Sequence, residues 1–309
     1  MPDFFMYRVR QQLQANDKEC NTGGTGTYVA VLDSGVSNHP DLYNRVIEFH
    51  DFVQEKKEAY DDLGHGTHIC GIIAGDGTLS EGRYAGIAPK SKLIVGKVLD
   101  CKGNGDCRQM LNALDWVERI SPEYPIRIIN ISIGIGNTVH NRNIQILKNR
   151  LNSLWEKGYV LVISAGNNGP GANTLSELAE GEHCICVGCH DGDFFKNFPK
   201  RCEMYSGRGG SSLNSKKPDV VAPGTEIISC NGFYTGTRQG NRPYCAKSGT
   251  SMATAIVSGC VARLFEANPQ LTNNDVLSLI REKTVDLKLP FEKQGYGMIN
   301  LRKLLTGMV

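Results

Sequence analysis

The chain has 309 residues, 40% hydrophobic and 21% charged, which is ordinary globular composition and enough chain for one large core. A formal net charge of +2 gives no reason to expect a nucleic-acid or membrane surface, and no stretch approaches the roughly 18 apolar residues that span a bilayer. The start, Met1 to Arg10, lacks a basic segment followed by a long apolar run, so no secretory signal is read and a cytoplasmic location is expected.

In chain order, short β-rich runs at 29–32, 93–99, 128–133 and 160–164 alternate with helix candidates at 68–74, 107–119 and 141–157. A further strand is expected at 185–188, and the pattern then stays strand- and turn-rich up to Ser248. Two helices follow, at 250–267 and 273–283, the second with a plausible cap in Thr272-Asn273-Asn274-Asp275. The βαβ rhythm predicts an α/β fold, a mainly parallel central sheet with helices on both faces. No Pro/Ser-rich linker, charge run or internal repeat divides the chain. Residues 1–23 read as a short N-terminal extension and 24–309 as one domain.

Eleven cysteines are many, and the number is odd. Without a signal segment, free thiols are the default. His183-Cys184-Ile185-Cys186-Val187-Gly188-Cys189-His190 invites a metal reading, but in a strand Cys184 and Cys186 face one side and Cys189 the other. Buried structural cysteines are the better reading, and no metal ligands are assigned. Cys101 with Cys107, and Cys230 with Cys245, flank Gly-containing loops, and either pair could bridge under oxidation.

Three Gly-flanked segments carry chemistry. Val31-Leu32-Asp33-Ser34-Gly35 ends a strand on an acid, where open α/β sheets place functional groups. Gly64-His65-Gly66-Thr67-His68 puts a histidine before a small-residue helix. Ser248-Gly249-Thr250-Ser251-Met252-Ala253 puts a serine on the first turn of a helix, near the positive end of its dipole. Alone, each has a structural explanation: a turn acid, a surface histidine, a helix cap. Together they supply a nucleophile, a base and an orienting acid.

In these motifs, and in their Asp, His, Ser order, the chain resembles the subtilisin-like serine proteases, from about Gly24 to Asn300. The resemblance implies a subtilisin-like peptidase domain over 24–309 and an endopeptidase of bacterial type. Ser251 would be acylated, His65 would be general base and acid, and Asp33 would orient the ring. Asn167, in Ser164-Ala165-Gly166-Asn167, matches the asparagine that donates to the oxyanion. Gly103-Asn104-Gly105 and Ser132-Ile133-Gly134 match the peptide-binding edges, and Ser176 and Glu177 fall near the floor of the primary pocket. An acid at the spacing of Asp62, three residues before His65, contacts the substrate residue before the cleaved one in basic-specific relatives; a Lys or Arg preference there is expected. No cofactor is needed for catalysis and the partner is a peptide or protein substrate.

The chain departs from the family pattern at Ala255, where proline is usual, and in the loop 75–84, which replaces a calcium-binding loop and resembles that of intracellular relatives. Asp41 remains from a common calcium ligand set, a poor basis for a site needing six or more oxygens. Residues 1–28 are too few for a folding propeptide. The competing reading is a catalytically idle binding or regulatory protein on the same fold. A nucleotide-binding domain lacks its phosphate loop.

Overall fold

The computed structural model describes residues 5–14, 22–133, 141–194, 201–209, 216–237 and 240–306. The elements are α1 (Phe5–Gln12), β1 (Tyr28–Asp33), β2 (Val46–Asp51), α2 (His65–Ala74), β3 (Lys92–Lys97), α3 (Cys107–Ile120), β4 (Ile126–Ile131), α4 (Asn141–Glu156) and β5 (Val160–Ser164). They continue with β6 (Ile185–Cys189), β7 (Val220–Ala222), β8 (Ile227–Cys230), β9 (Tyr244–Lys247), α5 (Thr250–Ala267), α6 (Asn273–Glu282), α7 (Phe291–Gln294) and α8 (Leu301–Thr306).

Seven strands form one sheet in the order β2-β3-β1-β4-β5-β6-β7, all parallel, and β8 and β9 form a separate antiparallel pair. A sheet covered on both faces requires nearly continuous apolar strands. Val29 to Leu32, Ile128, Ile129, Ile131 and Val160 to Ile163 are accordingly fully buried. Each such Val, Leu or Ile side chain contributes roughly 1.5–3 kcal/mol of transfer free energy. From β1 the chain first builds one side of the sheet and then, from β4 onward, the other. Helices cover the sheet in two pairs, α2 packed with α5 and α3 packed with α4. The reversal leaves a crevice at the carboxyl ends of β1 and β4, where Asp33 emerges.

α5 packs on α2 and on β4 to β7. Its residues from Thr250 through Phe265 are buried, as expected for a helix without a polar face. Small residues let it lie close. At Gly259 a Cβ would overlap Ile87.

Several boundaries differ from the sequence reading. β2 was not expected, because it is an edge strand whose Glu48 and His50 interrupt the apolar pattern and whose register shifts between Val46 and Glu48. α2 begins at His65 rather than residue 68, because Gly64 turns the chain into the helix with φ 70°. β3 and β4 end at Lys97 and Ile131, so apolar Leu99 and Ile133 lie beyond the strands. The described part of the N-terminal extension is α1, which packs on the domain through fully buried Val9 and Leu13. No helix among the described residues is long and apolar enough to cross a membrane.

Candidate active site

β1 delivers Asp33 fully buried at its carboxyl end. Its Oδ1 accepts the His65 Nδ1 proton at 2.7 Å and the Ser34 N–H at 2.7 Å. Burial alone would pull the His65 pKa down; the Asp33 charge and hydrogen bond outweigh it, and the net shift is upward. Asp61 fixes the approach to α2. Its Oδ1 accepts from Gly64 N (2.7 Å) and Ser34 Oγ (2.8 Å), and its Oδ2 from Thr67 N (2.8 Å) and Thr67 Oγ1 (2.7 Å). Gly66 has no room for a side chain against the Gly35 carbonyl, so its glycine is what allows the histidine turn to reach β1.

The second histidine of the motif is structural. His68 is buried, and its Nε2–H is shared between the Ile227 and Cys245 carbonyls at 3.0 and 3.1 Å, tying α2 to β8 and β9. Burial, with smaller contributions from Lys247 and His65, lowers its pKa to about 3, so it stays neutral.

Ser251 lies in the first turn of α5, 9% exposed. Its hydroxyl donates to the Ser132 carbonyl at 2.9 Å rather than to His65. The nucleophile–base hydrogen bond expected from the sequence is thus not formed; such bonds are often long or unmade without substrate. A buried polar link from β4 to α5 supports this end of the helix. Asn130 Nδ2 donates to Ser132 Oγ at 2.8 Å, and Ser258 Oγ donates to Asn130 Oδ1 at 2.9 Å.

Asn167 is exposed and follows β5. Its Oδ1 accepts the Thr250 N–H and Oγ1–H, both at 3.1 Å, and its Nδ2 lies beside Gly249. The amide is thereby oriented with its acceptor end used by Thr250 and its donor end beside Gly249, two residues before Ser251.

The expected peptide-binding edges flank this centre. Gly103, Asn104 and Gly105 are exposed on a turn closed by Asp100, whose Oδ1 accepts the N–H groups of Lys102 and Asn104 at 2.8 Å. Gly103 faces Leu63 of the histidine turn. Ser132 and Ile133 are buried beside Ser251, and Gly134 lies outside the described residues. Ser176 is bonded through its N–H to the Ala165 carbonyl at 2.8 Å, and its buried hydroxyl has no partner among the described residues.

The family model for subtilases matches residues 24–297. The chain belongs to the subtilase family. The serine protease AprX of Bacillus subtilis (strain 168) is 36% identical over 298 residues, covering 92% of this chain and 67% of that protein. Thermitase of Thermoactinomyces vulgaris is 33% identical over 266 residues, covering 85% of this chain and 83% of that protein. The solved structure of sphericase superposes with a TM-score of 0.80 at 28% identity, covering 95% of this chain and 97% of that one. This subtilase is a serine endopeptidase acting on peptide or protein substrates.

Three residues that sequence reasoning passed over bear on this subtilase's cleft. Lys97, fully buried on β3, donates at 2.7 Å to Asp62 Oδ1, to the Ser34 carbonyl and to the Leu99 carbonyl. Asp62, expected as an open acid for a basic substrate residue, therefore already has a cation. Asn130 reads in sequence as an ordinary polar interruption of a strand. Phe233, 48% exposed, covers Gly64 beside His65; its only sequence signal is the Asn231-Gly232 turn before it.

The carboxylate of Asp41 is engaged by protein donors. Asp41 Oδ1 accepts from Leu79 N at 3.0 Å and Oδ2 from Tyr244 OH at 2.7 Å. Neighbouring His39 is also engaged, its Nε2 with the Pro243 carbonyl at 2.8 Å and its Nδ1 accepting from Asp41 N at 3.2 Å.

The free-thiol expectation needs correction at one place. Cys189 at the end of β6 and Cys202 form a disulfide, with Cα atoms 5.7 Å apart. Cys189 points to the sheet face opposite Cys186, which is why the 189–190 side of the cluster meets residue 202. Cys101, Cys107, Cys230 and Cys245 are thiols, so neither of the two pairs weighed from sequence is bridged.

Proposed function

We propose that this subtilase cleaves peptide bonds through an acyl-enzyme on Ser251. The observation that carries the reading is the 2.7 Å Asp33–His65 bond at the start of α2, with α2 packed on the helix that Ser251 begins and Asn167 accepting from the neighbouring Thr250. On substrate binding the Ser251 hydroxyl turns from the Ser132 carbonyl to His65 Nε2. The oxygen attacks the scissile carbonyl carbon while His65 takes the proton. Asp33 stabilises the imidazolium and holds Nδ1 protonated, so Nε2 is the accepting atom. The Ser251 N–H and Asn167 Nδ2 donate to the oxyanion. Collapse expels the amine, which takes the proton from His65, and water repeats the sequence to release the acid. No cofactor enters any step.

The substrate would lie as an extended strand between the Gly103–Gly105 and Ser132–Gly134 edges, held by main-chain bonds. Lys97 offsets the charge that Asp62 presents to it. We therefore expect only a weak preference for Lys or Arg at the residue before the cleaved one. A cytoplasmic location is supported by the thiols and opposed by the Cys189–Cys202 bridge; cell fractionation decides it. No observation favours an idle binding protein.

Hydrolysis of a peptide library tests the reading. The wild-type protein is expected to cleave the library and, on a nitrophenyl ester, whose acyl-enzyme is hydrolysed more slowly than it forms, to release a pre-steady-state burst of nitrophenol equal to the enzyme concentration. Ser251→Ala is expected to fold and not to cleave. Cleavage retained in folded Ser251→Ala contradicts the assignment.

A further inference from the structure

Beyond Gly224, whose carbonyl holds the Gly249 N–H, lies a buried charge that the mechanism does not use. Asp191 follows β6 and is fully buried. Its Oδ1 accepts the N–H groups of Gly224 and Thr225, both at 3.2 Å, and its Oδ2 accepts the Thr225 hydroxyl. A buried carboxylate needs a counter-ion as well as hydrogen bonds. That ion comes from α1. Arg8, 1% exposed, places its Nη2 3.6 Å from Asp191 Oδ1 and donates to the Thr225 carbonyl at 2.9 Å. Gln12 on the same helix donates to the Asp191 carbonyl at 2.6 Å.

Two connections run from this node to the catalytic groups. In the first, the Gly224 carbonyl accepts the Gly249 N–H at 2.9 Å, and Gly249 precedes Thr250 and Ser251. Gly224 itself is wedged between Gly249 and the Cys189 and Cys202 sulfurs, where a Cβ would not fit. In the second, the Thr225 hydroxyl accepts the Cys202 N–H at 2.9 Å. The turn that begins at Cys202 then holds the Asn167 loop. Gly207 N donates to the Gly166 carbonyl at 2.7 Å and Gly169 N to the Tyr205 carbonyl at 2.9 Å. The two oxyanion donors, one on each of these segments, are thus referenced to the same buried ion pair.

We propose that Asp191, with Arg8 as its counter-ion, is a positioning residue for the oxyanion site, and that α1 is part of the support of the catalytic centre. This rests on the reading of Asn167 as an oxyanion donor. A displacement of about 1 Å in such a group can cost on the order of 100-fold in rate. Loss of Arg8 leaves Asp191 buried without its cation, so the Gly224–Thr225 corner and the Cys202 turn must shift to solvate it. The substrate edges at Gly103 and Ser132 lie on β3–α3 and β4 connections that the node does not touch. The loss is therefore expected in kcat and not in KM.

A double-mutant cycle tests this, with kcat and KM measured on an amide substrate at a temperature where each variant is folded, and with active sites titrated. Arg8→Met is expected to lower kcat at least about tenfold with KM within about twofold, and Arg8→Lys to restore most of it. In an Asn167→Ala background, where one donor is already gone, Arg8→Met is expected to cost much less. If Arg8→Met does not fold, Thr225→Val, which keeps shape and removes the hydroxyl from the node, serves in its place with the same expected pattern. Unchanged kcat in the folded single variant, or a full additive loss in the Asn167→Ala background, overturns the proposal. Unchanged kcat in Asn167→Ala alone instead overturns the oxyanion reading beneath it.

Discussion

At the scale of single residues, charge and hydrogen bonding make definite statements about pH. The folded His65 pKa is raised, and the ring must be neutral to accept the Ser251 proton. Activity should therefore fall as pH drops through a value above the ordinary ~6.5 of histidine. A kcat/KM profile should show this acid limb. Asp33→Asn should move the limb down and cost on the order of 10⁴ in turnover, because the ring loses both its orientation and its counter-charge. Asn167→Ala should cost about 10²–10³ in kcat with the fold intact. Asp62→Asn should change the cleavage ratio of Arg- to Ala-containing peptides less than about threefold, since a half-exposed carboxylate already paired with Lys97 has little left to give. A large basic preference lost in that variant would contradict the role given to Lys97. Asp33, His65 and Ser251 stood out in sequence because three Gly-flanked motifs occur together, and Asn167 stood out only through the family resemblance. Asp61, Lys97 and Asn130 did not, because one polar residue in a turn or strand looks the same whether it faces solvent or a buried carbonyl.

At the scale of elements, α2 and its hairpin illustrate a cost of burying a titratable group. His68 has a folded pKa of about 3, below the ~6.5 of an unfolded chain. Between those values the unfolded state binds the extra proton, so this group contributes a stability loss that grows as pH falls below ~6.5. At pH 5 the loss amounts to roughly 2 kcal/mol. His65 titrates with the opposite sign, since its folded pKa is raised; its stabilisation is complete below ~6.5 and is lost as pH rises through the folded value. Denaturant unfolding of His68→Gln against wild type from pH 7.5 to 5 separates the two, and the variant should show the smaller acid loss. The α6 cap is simpler. Thr272 and Asp275 form a reciprocal capping box, and Thr272→Ala should cost about 1 kcal/mol without altering kcat. That cap, and all five major helices after α1, could be read from periodicity and end signals. β2 could not, because an edge strand exposes a polar face. α1 could not, because its support comes from Arg8, Val9 and Leu13 meeting residues far along the chain.

At the scale of the whole molecule, the sheet order explains why three motifs distant in sequence meet. β1 carries Asp33 to the crevice, the β2–β3 connection supplies α2 with His65 at its start, and α5, packed on α2 and on β4 to β7, carries Ser251 at its own start. The βαβ rhythm gave the class of this sheet, while the order of its strands and the Cys189–Cys202 bridge depend on long-range packing that local pattern does not encode. The central claim is that this geometry makes Ser251, among many serines, an activated nucleophile. A fluorophosphonate probe with peptide mapping by mass spectrometry tests it most directly. The folded wild-type protein should take up one probe per chain on Ser251 and lose activity in step, and His65→Ala should be labelled far more slowly. Folded protein that is not labelled, or that carries the label on another serine, would contradict the account.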